Sequence, residues 1–517
     1  MTSLWRADHR PVASSPLRDG ARHEVVVVGA GITGLFTAML LAQDGRDVAV
    51  IDAGDVAALA TGANTGKVSL LQGSRLSSIR AHHPASLVHA YVDANRDGQE
   101  LVREFAETAG VPFVRRTAFS YAHTDAGMGR VRDEFTAARE AGLDVRMARA
   151  AERDAVPFPV AGAIALDDQI ALDPDTLATA LAETFLAAGG TLHTRTRVTR
   201  TAVLPSPHVV TAAGSVFADH IVLATGTPIA DRGLYFAKLS AQRSYVVSFE
   251  VPTGEVPGGM FLSVDAPSRS VRPVSADDGA VGTTRLVVGG NGHPVGRAES
   301  ERAQYEDLVA WTQSYYPGAR ESFRWSAQDY ESHNLVPFIG TMPRGGGRIR
   351  FATGYAKWGL TNGPAAALRI AAEIQGVAVA DLPTWARALG TRMTAPSDLA
   401  RGATENAKVG VAAAQGWGDA LTHPAPVPKP ADGEGTVGSR AGRPIGVSTV
   451  GGRTRAVSAV CPHLGGVLRW NDGECTWDCP LHASRFAPDG TRLEGPAVSD
   501  LAVLAEAPSA DSPPSEG

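Results

Sequence analysis

The chain has 517 residues, with 48 basic and 54 acidic side chains and a net charge of −6. Hydrophobic residues make up 44% and charged residues 20%, a globular balance that excludes a mostly disordered or fibrous chain. At about 150 residues per domain, this length suggests two to four domains. No run of lysine and arginine indicates a nucleic-acid surface, and three cysteines are too few for a disulfide framework.

Residues 1–20 show no apolar signal-peptide region, and we expect a loosely ordered N-terminal tail there. The uncharged stretch 25–43 is long enough for a membrane helix, but its glycines favour a nucleotide-binding turn. We therefore expect a cytoplasmic protein with no integral membrane segment and no nucleic-acid partner.

Residues 25–52 carry a nucleotide-binding pattern. Val25–Val28 predict a buried strand, and Gly29-Ala30-Gly31-Ile32-Thr33-Gly34 follows, then a helical period and a second strand ending at Asp52. The first glycine permits a tight turn, the second lets backbone approach a pyrophosphate, and the third lets the helix pack closely. Amides at the helix start bind phosphate, and Asp52 is placed to accept ribose hydroxyl groups. The pattern predicts a dinucleotide site.

The glycine pattern alone does not separate FAD from NAD. A reductase that takes hydride from a nicotinamide usually carries a second such pattern, and we find none, which favours FAD. A helix beginning at Asp173-Pro174 and a Gly-rich strand-to-helix turn over 351–364, with a helix over 365–375, agree with FAD. From 21 to 395 short β-branched runs alternate with helical stretches, so we expect an α/β domain.

The last part of the chain changes character. Residues 396–430 read as a helical and Pro-rich linker with an amphipathic helix near 404–414, and residues 508–517 read as a tail. Between them, residues 431–507 show the short strands and Gly turns of a small all-β module.

This module contains two similar loops, Cys461-Pro462-His463 and Cys479-Pro480-Leu481-His482. Each loop supplies one thiolate and one imidazole, which suits a Rieske [2Fe–2S] centre. A zinc site is the alternative, although zinc fingers usually group their two cysteines on one element and their two histidines on another. The predicted metal ligands are Cys461, His463, Cys479 and His482.

Residues 21–390 resemble the D-amino-acid-oxidase-like FAD oxidoreductases, also called the glycine-oxidase or DadA-like family. The matched pieces are VVVVGAGITG, ATGANTGKVS, LATG and GYAKWGLTNG. The resemblance implies a Rossmann-like FAD-binding domain of the glutathione-reductase type and a mixed β-sheet substrate domain, over about 95–165 and 235–335. It implies flavin-site residues at Gly29, Ala30, Gly31, Thr33, Gly34, Asp52, Thr65, Lys67, Val198, Gly226, Gly354, Trp358, Gly359 and Thr361. Thr65 and Lys67 have an alternative interpretation as ordinary helix-start residues.

Residues 431–505 resemble a Rieske domain, with informative departures. Gly466 and Leu481 stand where many members carry a disulfide, so that bridge is absent. Ala483 replaces a frequent glycine, Ser484 is kept, and Phe486 replaces a tyrosine of the respiratory type. Because hydrogen bonds to cluster sulfur raise the reduction potential, losing that hydroxyl predicts a lower potential. Cys475 is interpreted as a spare thiol.

On the substrate side, an arginine could clamp a substrate carboxylate, and we consider Arg243 and Arg272 for this role. His293 could act as a base or hydrogen-bond partner, and Lys357 could stabilise reduced flavin or pair with an acid. The competing interpretation is that sheet arginines are solvated or salt-bridged.

The fusion of both modules resembles a bacterial family of FAD-dependent oxidoreductases with a Rieske domain. It implies oxidation of an amine or amino-acid-like small molecule by hydride transfer to FAD, with single electrons leaving through the cluster to a protein or small acceptor. The alternative is an electron-transfer reductase that feeds an oxygenase or cytochrome without an organic substrate. An oxygenase would need another iron site with two histidines and a carboxylate, and the pair His82-His83 reads as a loop feature.

Overall fold

The computed structural model describes residues 2–230, 232–274, 282–390, 396–423 and 429–504. The chain forms two compact units, the first of residues 1–292 and 305–399 and the second of residues 293–304 and 400–517. Residues 424–428 of the expected Pro-rich linker, and the expected tail 508–517, lie outside the described residues.

The first unit contains both strands and helices along its whole length. The strands are β1 (Arg22–Val28), β2 (Val48–Ile51), β3 (Lys67–Val68), β4 (Phe113–Ala122), β5 (Arg146–Met147), β6 (Gly162–Leu172), β7 (Thr191–His193), β8 (Val198–Ala202), β9 (His208–Thr211), β10 (Gly214–Leu223), β11 (Leu239–Pro252), β12 (Met260–Ser263), β13 (Arg269–Pro273), β14 (Thr283–Pro294), β15 (Arg320–Ser332), β16 (Phe338–Thr341) and β17 (Ile349–Thr353). The helices are α1 (Ile32–Gln43), α2 (Ala60–Ala63), α3 (Arg75–His82), α4 (Ala85–Ala109), α5 (Met128–Glu140), α6 (Ala150–Asp154), α7 (Pro174–Ala187), α8 (Glu301–Tyr315), α9 (Gly359–Ile374) and α10 (Thr384–Ala388).

The nucleotide-binding part of this unit is a sheet in the order β16-β17-β10-β1-β2-β7, with β8 and β9 attached. β1 pairs in parallel with both β2 and β10, so that Val28 lies beside Ile51 on one side and Leu223 on the other. The four valines of β1 are nearly fully buried, which is why this strand reads as a continuous apolar run. The expected Rossmann-like α/β arrangement is confirmed.

The second sheet of the unit has the order β15-β11-β14-β13-β12-β4-β6-β3, with β5 paired to β6. β12 and β4 are parallel, whereas β4–β6, β12–β13, β13–β14 and β11–β15 are antiparallel. It is therefore the mixed sheet that the resemblance implies.

The N-terminal tail is not loosely ordered, and that expectation is wrong. Leu4 and Trp5 are each only 7% exposed and pack with Val246, Val287 and Trp325 of the second sheet. An apolar pair in a polar segment buries itself when a matching sheet face is available.

Two helices also begin earlier than the sequence indicates. α9 begins at Gly359 rather than 365, and α11 (Pro396–Thr422) is much longer than the expected helix near 404–414. The helix at Asp173-Pro174 begins as expected, because the Asp173 carboxylate accepts hydrogen bonds from the amides of Asp175 and Thr176.

The second unit contains most of α11 and two antiparallel sheets. The strands are β18 (Gly435–Arg440), β19 (Arg443–Val450), β20 (Arg453–Ser458), β21 (Arg469–Asn471), β22 (Thr476–Asp478), β23 (Arg485–Phe486) and β24 (Arg492–Glu494). β18-β19-β20 form one sheet and β21-β22-β23-β24 the other, with Trp477 and Phe486 fully buried in the core. Among the described helices of the chain, none combines the length and apolar character needed to cross a bilayer.

Candidate functional site

The glycine turn after β1 has the backbone that nucleotide binding needs. Gly29 has a φ of +114°, and a Cβ there would lie 2.4 Å from the carbonyl oxygen of Ala224. A Cβ on Gly34 would lie 1.9 Å from the Gly29 carbonyl oxygen, so only glycine lets α1 pack this closely. The start of α1 thus comes directly against the end of β1, with its amides available for phosphate.

Asp52 joins this turn to the end of β2. Its carboxylate accepts a hydrogen bond from the Ala30 amide at 2.6 Å and from the Gly54 amide at 2.7 Å. Burial raises the pKa of Asp52, and the two amide donors oppose that shift. An acid held at the edge of the glycine turn fits the ribose of FAD.

The remaining predicted flavin residues come from several elements. Thr33 of α1 contacts the Tyr355 hydroxyl at 3.1 Å, and Gly226 and Gly354 have φ values of +73° and +85° at strand ends. Val198 on β8 is buried with the apolar residues around β1. The Thr361 hydroxyl instead donates to Asn95 Oδ1 at 2.5 Å inside a buried polar network.

The turn before α9 has a strained backbone. Ala356 and Lys357 adopt φ values of +48° and +76°, and Trp358 immediately precedes Gly359, the first residue of α9. Lys357 Nζ donates to Ser244 Oγ at 2.6 Å and to Asp329 Oδ2 at 2.9 Å. Pairing with an acid was one of the two interpretations of Lys357, and it is the contact observed.

A cluster of cations lies where β3 meets β13. Lys67 Nζ donates to Ser270 Oγ at 2.6 Å and lies 5.8 Å from the centroid of the Trp358 ring. Ser270 and Arg272 share one face of β13 because they are two residues apart. Gly66, with a φ of +67°, makes room for Arg272, whose NH2 would lie 2.7 Å from a Cβ at that position.

Neither cation of this cluster has an acid within salt-bridge distance among the described residues. Arg272 is 3% exposed and donates to the Leu172 carbonyl oxygen at 3.2 Å. Burial lowers its pKa to about 9, which the more distant charge of Asp173 opposes. Burial, with a contribution from Arg272, lowers the pKa of Lys67 to about 7. Lys67 starts a strand and Thr65 lies in the preceding turn, so the helix-start interpretation of both residues is wrong.

The other two substrate-side candidates have different surroundings. Arg243 is fully buried and donates to Ser326 Oγ at 2.8 Å and to Gln328 Oε1 at 3.0 Å. His293 belongs to the second unit, whereas Arg243, Arg272 and Lys357 belong to the first. Arg269 follows the competing interpretation, because it forms a salt bridge to Asp307.

His82 and His83 are more than a loop feature. His82 is the last residue of α3 and lies 3.0 Å from Asp398 Oδ1, and His83 Nε2 contacts the Asn334 carbonyl oxygen at 2.6 Å. Together with Asp398 they form a group whose ligand atoms lie within 4.8 Å of one another. Each ring already has a protein partner, and we assign no metal to this group.

In the second unit the two Cys/His loops face each other. The His463 and His482 rings lie 5.1 Å apart and nearly perpendicular. A hydrogen bond from the Cys479 thiol lowers the pKa of Cys461, and amides of His463 and Leu464 and the Ser484 hydroxyl act in the same direction. Two adjacent thiols that receive hydrogen bonds, with two imidazoles beside them, fit the ligand set of a [2Fe–2S] cluster.

The departures from the Rieske pattern have physical consequences. A Cβ on Gly466 would lie 2.6 Å from Leu481 Cγ, so the Leu481 side chain fills the space where a bridge would run. Ala483 has a φ of +65°, which explains why glycine is frequent at this position. Cys475 Sγ lies 3.7 Å from the Gly433 carbonyl oxygen, away from the two loops.

The family comparisons agree with both sites. A model of the FAD-dependent oxidoreductase family DAO matches residues 24–373, and a model of the Rieske [2Fe-2S] domain matches residues 425–505. The chain therefore belongs to the DAO family of FAD-dependent oxidoreductases and carries a Rieske domain at its C-terminal end. Its cofactors are FAD and a [2Fe–2S] cluster.

Individual relatives share one or both parts. YhfW of Bacillus subtilis, described by its name as a Rieske 2Fe-2S iron-sulfur protein, is 27% identical over 96% of both chains. Glycine oxidase from Geobacillus kaustophilus superimposes with a TM-score of 0.59 and 20% identity, covering 69% of this chain and 95% of its own. L-proline dehydrogenase from P. horikoshii gives 0.58 and 17%, covering 73% and 100%. These two structures establish the fold.

Sequence reasoning did not single out Trp5 or Ser270. Ser270 could have been found from the alternation of SRSVRP, which puts it on the same strand face as Arg272. Trp5 has only the apolar pair Leu4-Trp5 as a signal, and nothing local links that pair to residues more than 260 positions away.

Proposed function

We propose that the protein oxidises an amine or amino-acid-like small molecule at the C–H bond next to nitrogen, and that the electrons leave singly through the Rieske domain. The observation that carries this proposal is the cation cluster of Lys67 and Arg272. Two desolvated cations without an acid partner in the described part of the chain favour an anionic ligand, and a substrate carboxylate supplies one. The substrate class is therefore a carboxylate-bearing amine.

The two cofactors divide the redox chemistry between them. FAD, when bound, accepts two electrons as a hydride, and a [2Fe–2S] cluster carries one electron at a time. In this proposal Arg272 and Lys67 bind the carboxylate and thereby orient the C–H bond of the substrate. The Trp358 ring next to Lys67 supplies an apolar wall that excludes water.

Arg243, Lys357 and His293 have supporting roles in the proposal. Arg243 is held by Ser326 and Gln328, so it orders the β11–β15 pair rather than meeting the carboxylate directly. Lys357 fixes the turn before α9 through Asp329. His293, in the second unit, is assigned no contact with the carboxylate and stays a candidate hydrogen-bond partner.

Matched substrates test the proposal. Sarcosine and L-proline would be compared with dimethylamine and pyrrolidine, which lack the carboxylate, under anaerobic conditions with flavin absorbance as the readout. We expect the carboxylate-bearing member of a pair to reduce the flavin faster, and Arg272→Met to raise its KM about 10- to 100-fold.

Arg269→Met is the matched control for this experiment. Arg269 lies on the same strand but faces Asp307, so its replacement should leave the KM unchanged. A panel in which no amine or amino acid reduces the flavin contradicts the proposal. Equal effects of the Arg272 and Arg269 variants contradict the role of the cation cluster.

A further inference from the structure

Residues 3–9 precede the segment that matches the family model, which begins at residue 24. They nevertheless fasten onto the segment that leads to Lys67. Ser3 Oγ donates to the Gly62 carbonyl oxygen at 2.5 Å, and Trp5 Nε1 to that of Asn64 at 2.7 Å. Arg6 donates to the Val56 carbonyl oxygen at 2.7 Å.

The other end of this segment, which we name the N-terminal strap, is anchored on α7. Arg6 NH1 lies 2.7 Å from Asp175 Oδ1, and His9 Nδ1 lies 2.7 Å from Asp175 Oδ2. Asp175 is nearly fully buried and sits in the first turn of α7. Residues 3–9 are therefore fixed at several points along their length.

Trp5 brings the strap to the cation cluster. Its ring centroid lies 5.0 Å from Arg272 Cζ, a cation–π arrangement in which Trp5 is 7% and Arg272 3% exposed. Trp325 stands edge-on to Trp5 at 6.5 Å and donates its indole N–H to the Ala63 carbonyl oxygen at 2.7 Å. Two indole groups thus hold consecutive carbonyls just before Gly66 and Lys67.

We propose that the N-terminal strap completes the anion site and that Trp5 is a positioning residue for Arg272. The ring covers one face of the guanidinium, excludes water from it, and leaves its N–H groups to meet a carboxylate. The identity of the ligand rests on the proposed function, whereas the protection of Arg272 does not.

Chemical modification of arginine tests this without a known substrate. The FAD-loaded full chain would be treated with phenylglyoxal, and the modification of Arg272 would be followed by peptide mass spectrometry. Arg320, whose side chain is 72% exposed, is the internal standard. The variants are Trp5→Leu, Trp5→Phe, which keeps a ring over the guanidinium, and Trp385→Leu as the matched control.

Trp385 suits the control because it is 5% exposed and also makes one indole hydrogen bond, to Asp97, but packs in a different part of the core. We expect Arg272 to react about tenfold faster in Trp5→Leu than in the wild type, and within about threefold of the wild type in Trp5→Phe. Unchanged protection in Trp5→Leu, or equal exposure in Trp385→Leu, overturns the proposal.

A second variant and a kinetic readout keep the test decisive. If Trp5→Leu does not retain FAD, Trp5→Met keeps more apolar volume and takes its place. Loss of FAD in both, with retention in Trp385→Leu, assigns Trp5 to the core and contradicts a positioning role. With sarcosine or L-proline as substrate, Trp5→Leu should raise KM about tenfold and leave kcat within about threefold. If the wild type oxidises neither, the proposed function fails while the arginine modification still decides the role of Trp5.

Discussion

Lys67 and Ser270 are joined by a hydrogen bond of 2.6 Å although their strands are far apart in the sheet order. Three strands, β12, β4 and β6, separate β3 from β13, which is about 19 Å in a flat sheet. The sheet must therefore curl strongly, as twisted sheets do, so that its edge approaches β13. The curl is what brings Lys67 and Arg272 into one cluster.

The charge of Lys67 gives the first prediction. Its pKa of about 7 means that the free enzyme carries the ammonium below about pH 7 and loses it above. Because only the ammonium attracts a carboxylate, kcat/KM for a carboxylate-bearing substrate should fall as the pH rises through 7. The pH profile of kcat/KM measures this, and Lys67→Met should remove the descending limb.

Lys238→Met is the control for that profile, because burial also lowers the pKa of Lys238, which lies elsewhere over Tyr235. The fold lowers the pKa of Lys67 from its usual 10.5, so it penalises folding fully below pH 7 and not at all above 10.5. Lys67→Met should therefore raise the melting temperature at neutral pH. A descending limb that survives Lys67→Met contradicts the assignment.

Asp52 gives a prediction about FAD retention. Its carboxylate accepts two amide hydrogen bonds and faces the expected ribose position, so Asp52→Ala should weaken FAD binding about 10- to 100-fold. Equilibrium dialysis of FAD against the purified chain measures the loss. Asp55→Ala is the matched control, since Asp55 pairs with Arg195 at the surface. Equal losses in the two variants would count against a ribose contact.

The cysteines give a prediction about the cluster. Cys479→Ser should abolish the [2Fe–2S] electron paramagnetic resonance signal while FAD remains bound, because the ligand loops and the glycine turn lie in different units. Cys475→Ser, four residues earlier in the chain, should keep the signal. Iron and sulfide analysis of both proteins completes the comparison. A cluster lost from Cys475→Ser would show that the spare-thiol interpretation is wrong.

Phe486 gives a prediction about the reduction potential. The phenyl ring is fully buried beside the second ligand loop and offers no hydroxyl. Phe486→Tyr should raise the cluster potential, on the order of 60 mV if one hydrogen bond shifts the one-electron equilibrium about tenfold. Redox titration of the cluster signal measures it. An unchanged or lower potential in a folded variant contradicts the argument.

Local pattern predicted the two cofactor sites well. The strand, glycine turn, helix and acid of residues 25–52 are recoverable because each step depends on neighbours within a few residues. The same holds for the paired Cys/His loops, whose spacing alone separates them from a zinc finger.

The substrate side could not be read in the same way. Lys67 and Arg272 are more than 200 residues apart and meet only because a long sheet curls, which no local period encodes. The burial of Trp5 likewise depends on a sheet face formed by β11, β14 and β15. The direction of the Thr361 side chain was hidden for the same reason, since its partner Asn95 lies on α4.

The most direct test of the account is anaerobic mixing of the cofactor-loaded chain with the matched amines and amino acids, and separately with NADH and NADPH. Flavin and cluster absorbance would be followed together. The account predicts that a carboxylate-bearing amine bleaches the flavin, that cluster reduction follows, and that neither nicotinamide does this. Rapid bleaching by a nicotinamide, with no response to any amine or amino acid, would contradict it and favour an electron-transfer reductase.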